Sequence, residues 1–317
     1  MMRRHEEGFP LWVPLKKTMR LEQVQLRSFA KVNFGLQVLG KRGDGFHEIR
    51  TLLQTVALHD QIRLTRSRTP GIQFTSNSEE LNPTRNLVAE AIRLYQRRMK
   101  ASGGIRVHLD KNIPIGAGLG GGSGNAAATL WGMSFLHQRP LPLKQLLEWG
   151  AELGSDVPFF FLGGKCLGIG RGAEIYPLED APKLHILIVV PPFAVSTASA
   201  YARLSLKLTK KGSLDKIPHF CSGYLNRLSG TGTLENDFES VVFSDFPQLK
   251  KIKQLLIRSG ARDAGLSGSG SALYGVFGSR KELFKARSVV ESKGIRLIAT
   301  NTLNRVEFLK SVIEAYR

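Results

Sequence analysis

The chain has 317 residues and carries 45 Lys and Arg against 26 Asp and Glu, a formal charge of +19. Hydrophobic residues make up 42% and charged residues 22%, which excludes a disordered chain. The longest apolar runs, such as residues 184–193, reach about half the ~20 residues of a membrane-spanning helix, which excludes an integral membrane protein.

Residues 1–20 begin basic, but their apolar part is broken by Pro10 and Pro14 and no small-residue cleavage site follows, so the segment reads as an N-terminal extension rather than a secretory leader. Residues 21–40 alternate as two strands, and 50–66 with 71–75 continue the strand-rich pattern. From 86 to 99, Leu87, Val88, Ile92 and Tyr95 recur at helical spacing, closed by Ser102-Gly103-Gly104. A strand at 105–109, a glycine-dense loop over 111–124 and helices over 125–136 and 141–153 follow, then an apolar, turn-rich stretch at 158–164. Beyond it the pattern predicts a buried strand at 184–190, a basic helix at 201–213, a flexible joint at 229–233 and an amphipathic helix at 246–259. A Gly/Ser loop then runs from 264 into a strand at 272–277, followed by a helix at 281–293 and a last strand at 296–300. Strands interspersed with helices predict an α+β fold of two domains, 21–178 and 179–317. Cys166 and Cys221 are too few for a disulfide framework or a zinc cluster and read as reduced thiols of a cytoplasmic protein.

The most informative stretch is the loop from Lys111 to Ala128. Glycines 116, 118, 120, 121, 122 and 124 leave backbone N–H groups uncovered, and the next helix contributes the partial positive charge of its N-terminus. A polypeptide holds phosphate in this way. Two familiar phosphate loops do not match. A Walker loop needs Lys-Ser/Thr where Ser123-Gly124-Asn125 stands, and the dinucleotide fingerprint needs an acid about 20 residues on.

The segment from Pro114 to Ser123 resembles the ATP-binding loop of the GHMP small-molecule kinases. Ala30-Lys31-Val-Asn33, Asp44-Gly-Phe-His47, Gly154-Ser-Asp156-Val-Pro, Asn236-Asp-Phe-Glu239, Gly265-Leu-Ser-Gly-Ser-Gly-Ser271 and Thr302-Leu-Asn304 occur in the order seen in the 4-diphosphocytidyl-2-C-methyl-D-erythritol kinase family. The likeness covers roughly residues 21–305, with two departures: Phe46 stands where the family has Tyr, and Gly124 where it has Ser.

The resemblance implies a two-domain fold with its active site in the cleft between the domains. The implied reaction is ATP-dependent phosphorylation of the 2-hydroxyl of 4-diphosphocytidyl-2-C-methyl-D-erythritol, in the non-mevalonate route to isoprenoid precursors. It casts Asp156 as base and Lys31 as its cationic neighbour. It assigns ATP to Pro114, Gly116, Gly118, Leu119, Gly120, Gly121, Gly122, Ser123 and Asn125, and the cytidine diphosphate substrate to Asn33, Phe46, His47, Phe193, Gly268 and Ser269. Asn33, two residues from Lys31 on a strand, falls on the same face. His47 follows the turn Gly43-Asp44-Gly45, which predicts an exposed loop imidazole. No His/Cys/Asp/Glu set has metal-ligand spacing, so Mg²⁺ is expected to arrive with ATP. The expected state is a monomer or weak dimer without nucleic-acid or membrane partners. Competing readings are a GHMP kinase for another small alcohol, a nucleotide-binding pseudokinase, or an RNA-binding protein suggested by the charge.

Overall fold

A computed structural model of the chain describes residues 21–180, 182–208 and 235–313. Strands β1 (Gln23–Lys41) and β2 (His47–Ser67) form one long antiparallel pair. The expected two strands in 21–40 are therefore one. Its ladder shifts register after Phe29, Asn33 and Val38, and each bulge turns the alternation of side chains over. Residues 28–38 consequently lie buried without a break. At the middle bulge Gly35 takes φ 95°, a conformation that glycine adopts without strain.

The first sheet is completed by β3 (Ile72–Ser76), β4 (Gly104–Asp110), β5 (Lys165–Gly170) and β6 (Glu174–Pro177). The far edge of β2 is shared: residues 49–54 pair with β5 and 61–67 with β4. The β5–β6 hairpin was not expected, because its glycines interrupt the alternation that marks a strand.

Helices α1 (Leu87–Met99), α2 (Gly121–Leu136), α3 (Leu143–Leu153) and α4 (Phe159–Leu162) pack on this sheet. Ile92, Tyr95, Leu130 and Trp131 meet Leu26, Ile62, Leu64 and Val107. Asn86 caps α1 by accepting from the Ala89 N–H at 2.9 Å. Helix α2 starts four residues before its expected start at Asn125, so Gly121 to Gly124 form its first turn rather than loop. Glycine is a poor helix former, and packing overrides that: a Cβ at Gly124 would lie 2.8 Å from the Phe29 carbonyl oxygen, and one at Gly121 2.9 Å from Ile113.

The second sheet has the order β10-β7-β9-β8, from β7 (His185–Val190), β8 (Asp263–Leu266), β9 (Leu273–Phe277) and β10 (Arg296–Asn301). Residues 264–266, expected to be loop, thus belong to a strand. The Gly/Ser loop shrinks to 267–272, a tight connection between antiparallel neighbours. Helices α5 (Thr197–Leu208), α6 (Glu239–Asp245), α7 (Pro247–Arg258) and α8 (Arg280–Val290) cover this sheet, with Leu187, Val241, Leu249, Leu256 and Leu283 in one core. Helix α9 (Arg305–Ile313) returns to the first core through Phe308.

A third cluster joins the sheets. Val32, Phe34 and Leu52 of the first meet Ile186, Ile188 and Tyr274 of the second, and Ala117 and Leu119 of the glycine loop are buried among them. The loop is thereby held at the seam. Cys166 is a buried free thiol, pushed up to about 11 by burial. Cys221, the joint at 229–233 and the end of the basic helix beyond 208 lie outside the described residues. No helix among the described residues is long and apolar enough to cross a membrane.

Candidate active site

Both sheets hold the carbonyls of the glycine loop. The Lys31 N–H donates to Leu119 O at 2.9 Å and the Ala272 N–H to Ala117 O at 3.1 Å, while Ser267 Oγ donates to Gly118 O at 3.0 Å. Gly118 and Gly120 have φ of 77° and 69°. A Cβ would stand 2.2 Å from the Ser267 carbonyl oxygen at the first position and 2.8 Å from Phe160 at the second, so no other residue fits at either. The N–H groups of Gly121, Gly122 and Ser123, in the first turn of α2, have no intrahelical acceptor. They stand at a helix end that favours negative charge.

This turn borders a cavity of about 270 Å³. All nine residues expected to bind ATP line it, and Leu81, Leu87, Val88, Leu109 and Ile115 add an apolar wall. Asn125, 3% exposed, keeps a buried Oδ1 there without a hydrogen-bond partner. Asp60 fastens the run-up to the loop. Its carboxylate accepts from Lys111 Nζ at 2.8 Å and from the N–H groups of Asn112 and Ile113 at 2.7 Å each. Burial pulls the Lys111 ammonium below the usual lysine range, with Asp60 opposing. Nothing in the local sequence marks Asp60, a lone acid within a strand.

Gly118, Gly120 and Ser123 also border a second, larger cavity of about 730 Å³. Here Lys31, its side chain 4% exposed, donates from Nζ to Asn33 Oδ1 at 2.5 Å and lies 3.4 Å from Asp156 Oδ2. Asn33 and Lys31 share a face of β1, and the Asn33 amide is oriented by donating to Thr51 Oγ1 at 2.8 Å. Asp156 stands in the turn between α3 and α4, anchored by its buried neighbours Val157, Phe159 and Phe160. Its carboxylate is 39% exposed and faces the cleft. Gly268 and Ser269 form the opposing wall. A Cβ at Gly268 would be 3.3 Å from Asn33 Oδ1 and 3.6 Å from Lys31 Nζ, and Ser269 Oγ pairs with Thr197 Oγ1 at 2.8 Å.

Aromatic rings close the far end. His47 is not the exposed loop residue expected: it is the first residue of β2, half-buried, with its ring stacked on Tyr201 at 4.7 Å and 24°. Desolvation, with a contribution from Lys41, draws its imidazole below the ordinary histidine value. Tyr201 is pushed up to about 12, chiefly by burial and further by the Asp156 charge, so it keeps its proton at neutral pH. Phe46 stays 49% exposed, with the Arg171 guanidinium 5.3 Å from its ring centre.

One of the expected site residues stands elsewhere. Phe193 does not border either cavity; its ring stacks on Phe246 at 4.8 Å and 16°, against the second core. Tyr201, which lines the cleft, was missed because a tyrosine on an amphipathic helix carries no local mark of its neighbours. Gly124, which stands where the family has Ser, faces the Phe29 carbonyl across the α2–β1 contact.

The site thus places a buried ammonium and a solvent-facing carboxylate where an anion-binding loop meets a cleft ending in aromatic rings. That geometry suits transfer of a phosphoryl group between two bound molecules.

Comparisons with known proteins agree with this architecture. The GHMP kinases N terminal domain model matches residues 86–164 and the GHMP kinases C terminal model residues 223–296. The chain is 44% identical over 289 residues to the 4-diphosphocytidyl-2-C-methyl-D-erythritol kinase of Solibacter usitatus, covering 90% of this chain and 88% of that one. It is 38% identical over 278 residues to the enzyme of that name from Thermodesulfovibrio yellowstonii, covering 86% and 96%. A crystal structure of 4-(cytidine 5'-diphospho)-2C-methyl-D-erythritol kinase superposes with a TM-score of 0.73 at 29% identity, over 88% of this chain and 98% of that one. Homoserine kinase from Cytophaga hutchinsonii, at TM-score 0.68 and 20% identity over 92% and 97%, shares the fold. With 44% and 38% identity to the Solibacter usitatus and Thermodesulfovibrio yellowstonii enzymes over 90% and 86% of its length, the chain belongs to the 4-diphosphocytidyl-2-C-methyl-D-erythritol kinase family of GHMP kinases.

Proposed function

We propose that the protein transfers the terminal phosphoryl group of ATP to the 2-hydroxyl of 4-diphosphocytidyl-2-C-methyl-D-erythritol, in the non-mevalonate route to isoprenoid precursors. The observation that carries this reading is the Lys31–Asp156 pair in the larger cavity, with Lys31 against Gly120 of the loop that borders both cavities. The smaller cavity suits a nucleotide, its apolar wall taking the base and the N–H groups of Gly121, Gly122 and Ser123 the phosphates. The larger suits the cytidine substrate, with Phe46, His47 and Tyr201 at its far end as surfaces for a pyrimidine. We read residues 21–178 and 179–317 as the two domains that contribute these walls.

Phosphoryl transfer proceeds through a loose transition state, so position and charge matter more than covalent help. In our reading Asp156 accepts the proton of the attacking hydroxyl. Lys31 holds Asp156 and Asn33 in place and offsets negative charge as it shifts. Gly268 and Ser269 exclude water from the opposite side.

Ser123 borders both cavities and the Asp156 carboxylate faces the larger one; their oxygens are hard ligands of the kind Mg²⁺ accepts. The buried, unpartnered Asn125 Oδ1 is a further oxygen nearby. Among the described residues there is no group of three or more His, Cys, Asp or Glu that could hold a metal ion. Bound Mg²⁺ would neutralise phosphate charge.

The test is purified protein with ATP, Mg²⁺ and the cytidine substrate. The expected result is one ADP per phosphorylated product. Turnover of homoserine or mevalonate, with none on the cytidine compound, would overturn the proposal.

A further inference from the structure

After the bulge of β1 at Asn33–Leu36, Leu36 is again opposite Thr51 of β2, and its backbone N–H and C=O are taken up by a segment distant in sequence, in a parallel bridge to Asn236. The Leu36 N–H donates to Glu235 O at 3.0 Å, and the Asp237 N–H donates to Leu36 O at 2.8 Å. The Val38 N–H donates to Asp237 Oδ2 at 2.8 Å. Residues 235–237 are thus pinned to the strand that carries Lys31 and Asn33.

From this strap the Asn236 side chain, 6% exposed, crosses to the Gly/Ser loop. Its amide donates to Leu266 O and to Gly268 O, both at 2.8 Å, while Oδ1 accepts from the Phe238 N–H at 3.0 Å. Gly268 is the residue whose Cα faces Asn33 and Lys31. The next residue back, Ser267, ties the same loop to the Asn33 N–H at 3.3 Å and to Gly118 O at 3.0 Å. Glu239 completes the hold, accepting from the Leu266 N–H at 3.0 Å and from Lys253 Nζ at 2.6 Å.

We propose that Asn236 is a positioning residue for phosphoryl transfer: it clamps the Gly268 carbonyl to β1 and so sets the distance between the Gly/Ser wall and the Lys31–Asn33 pair. The position demands two donors and one acceptor on a short planar group, and asparagine alone supplies these. Aspartate has the shape but no donor, and would turn a carboxylate toward two carbonyl oxygens. A merely structural asparagine would stabilise the fold without setting this gap.

The kinetic arm of the test rests on the proposed function; the exchange arm does not. Asn236→Asp is compared with the parent in steady-state kinetics, thermal unfolding and backbone hydrogen exchange without ligands. The expected result is a kcat loss of about 100-fold, as for a displacement of about 1 Å, with a raised KM for the cytidine substrate and a KM for ATP within about threefold of the parent. Amides of residues 267–271 should exchange about tenfold faster or more while those of α2 stay unchanged. Should the aspartate variant not fold, Asn236→Ser, whose hydroxyl is too short to reach either carbonyl, is held to the same outcomes. A lower melting temperature with both KM values unchanged, and activity lost only in proportion to unfolded protein, would overturn the proposal, as would unchanged exchange at 267–271. Failure of the parent to phosphorylate the cytidine substrate would reject the functional reading, leaving the exchange result to decide the clamp.

Discussion

Replacing Asp60 by Asn tests how the run-up to the glycine loop is held. Asp60 is fully buried, and its partner Lys111 has a side chain only 6% exposed. The substitution preserves shape and one acceptor for the N–H groups of Asn112 and Ile113, but it turns an amide NH₂ toward an ammonium already strained by desolvation. Removing one partner of a buried ion pair costs about 3–5 kcal/mol. Lys111→Met should cost less, about 1–3 kcal/mol, because the Asp60 carboxylate keeps two backbone donors at 2.7 Å. The double variant leaves no unpaired charge, so it should be more stable than Asp60→Asn alone, a non-additivity of at least about 2 kcal/mol. Urea unfolding of the four proteins measures this, and titration with a non-hydrolysable ATP analogue should show weakened binding in Asp60→Asn.

The pH dependence has a defined sign. Without Asp60, the folded-state pKa of Lys111 falls further below its unfolded value. The deficit is therefore full at neutral pH and shrinks as pH rises toward the ordinary lysine value of ~10.4. A variant within about 0.5 kcal/mol of the parent, or strictly additive losses, would refute the reasoning.

Asp156→Asn should retain ATP binding while losing about 2–4 kcal/mol of transition-state stabilisation, roughly 30- to 1,000-fold in kcat; turnover within about threefold of the parent would remove Asp156 from the chemistry. Tyr201→Ala should raise the KM for the cytidine substrate about tenfold through loss of a ring surface. Phe193→Ala should leave that KM unchanged and lower stability by about 1–3 kcal/mol through the lost Phe246 contact; the reverse ranking would return Phe193 to the cleft. Because the folded His47 imidazole titrates below the ordinary value of ~6.5, the same KM should stay flat through neutral pH and rise only as pH falls below that value. His47→Gln should abolish the rise, and a KM that climbs above neutrality would contradict a neutral imidazole as the binding form.

Several features of the site were legible along the chain because their causes are local. Six glycines within nine residues carry an entropic cost that ordinary packing does not explain, and they mark the phosphate-type loop before any tertiary contact is known. Lys31 and Asn33 share a face because strand geometry alone alternates side chains. Asn86 reads as the start of a helix because a cap bonds only two or three residues ahead. The motif order further linked Lys31 to Asp156, although nothing in either segment states that they approach to 3.4 Å.

Other features had no local signature. The bulge at Gly35 lets one strand occupy what alternation divides in two. The early start of α2 depends on the fit of Gly121 against Ile113 and Gly124 against Phe29. Whether Phe193 or Tyr201 faced the cleft was decided by Phe246, which covers the first, and His47, which stacks on the second. Asp60 and Asn236 act on groups far along the chain, and Ser267 bonds the Asn33 backbone across 234 positions. Backbone preference and side-chain period are written within a few residues. A wall of the cleft is set by which distant surfaces bury each other, and only the packed chain determines that.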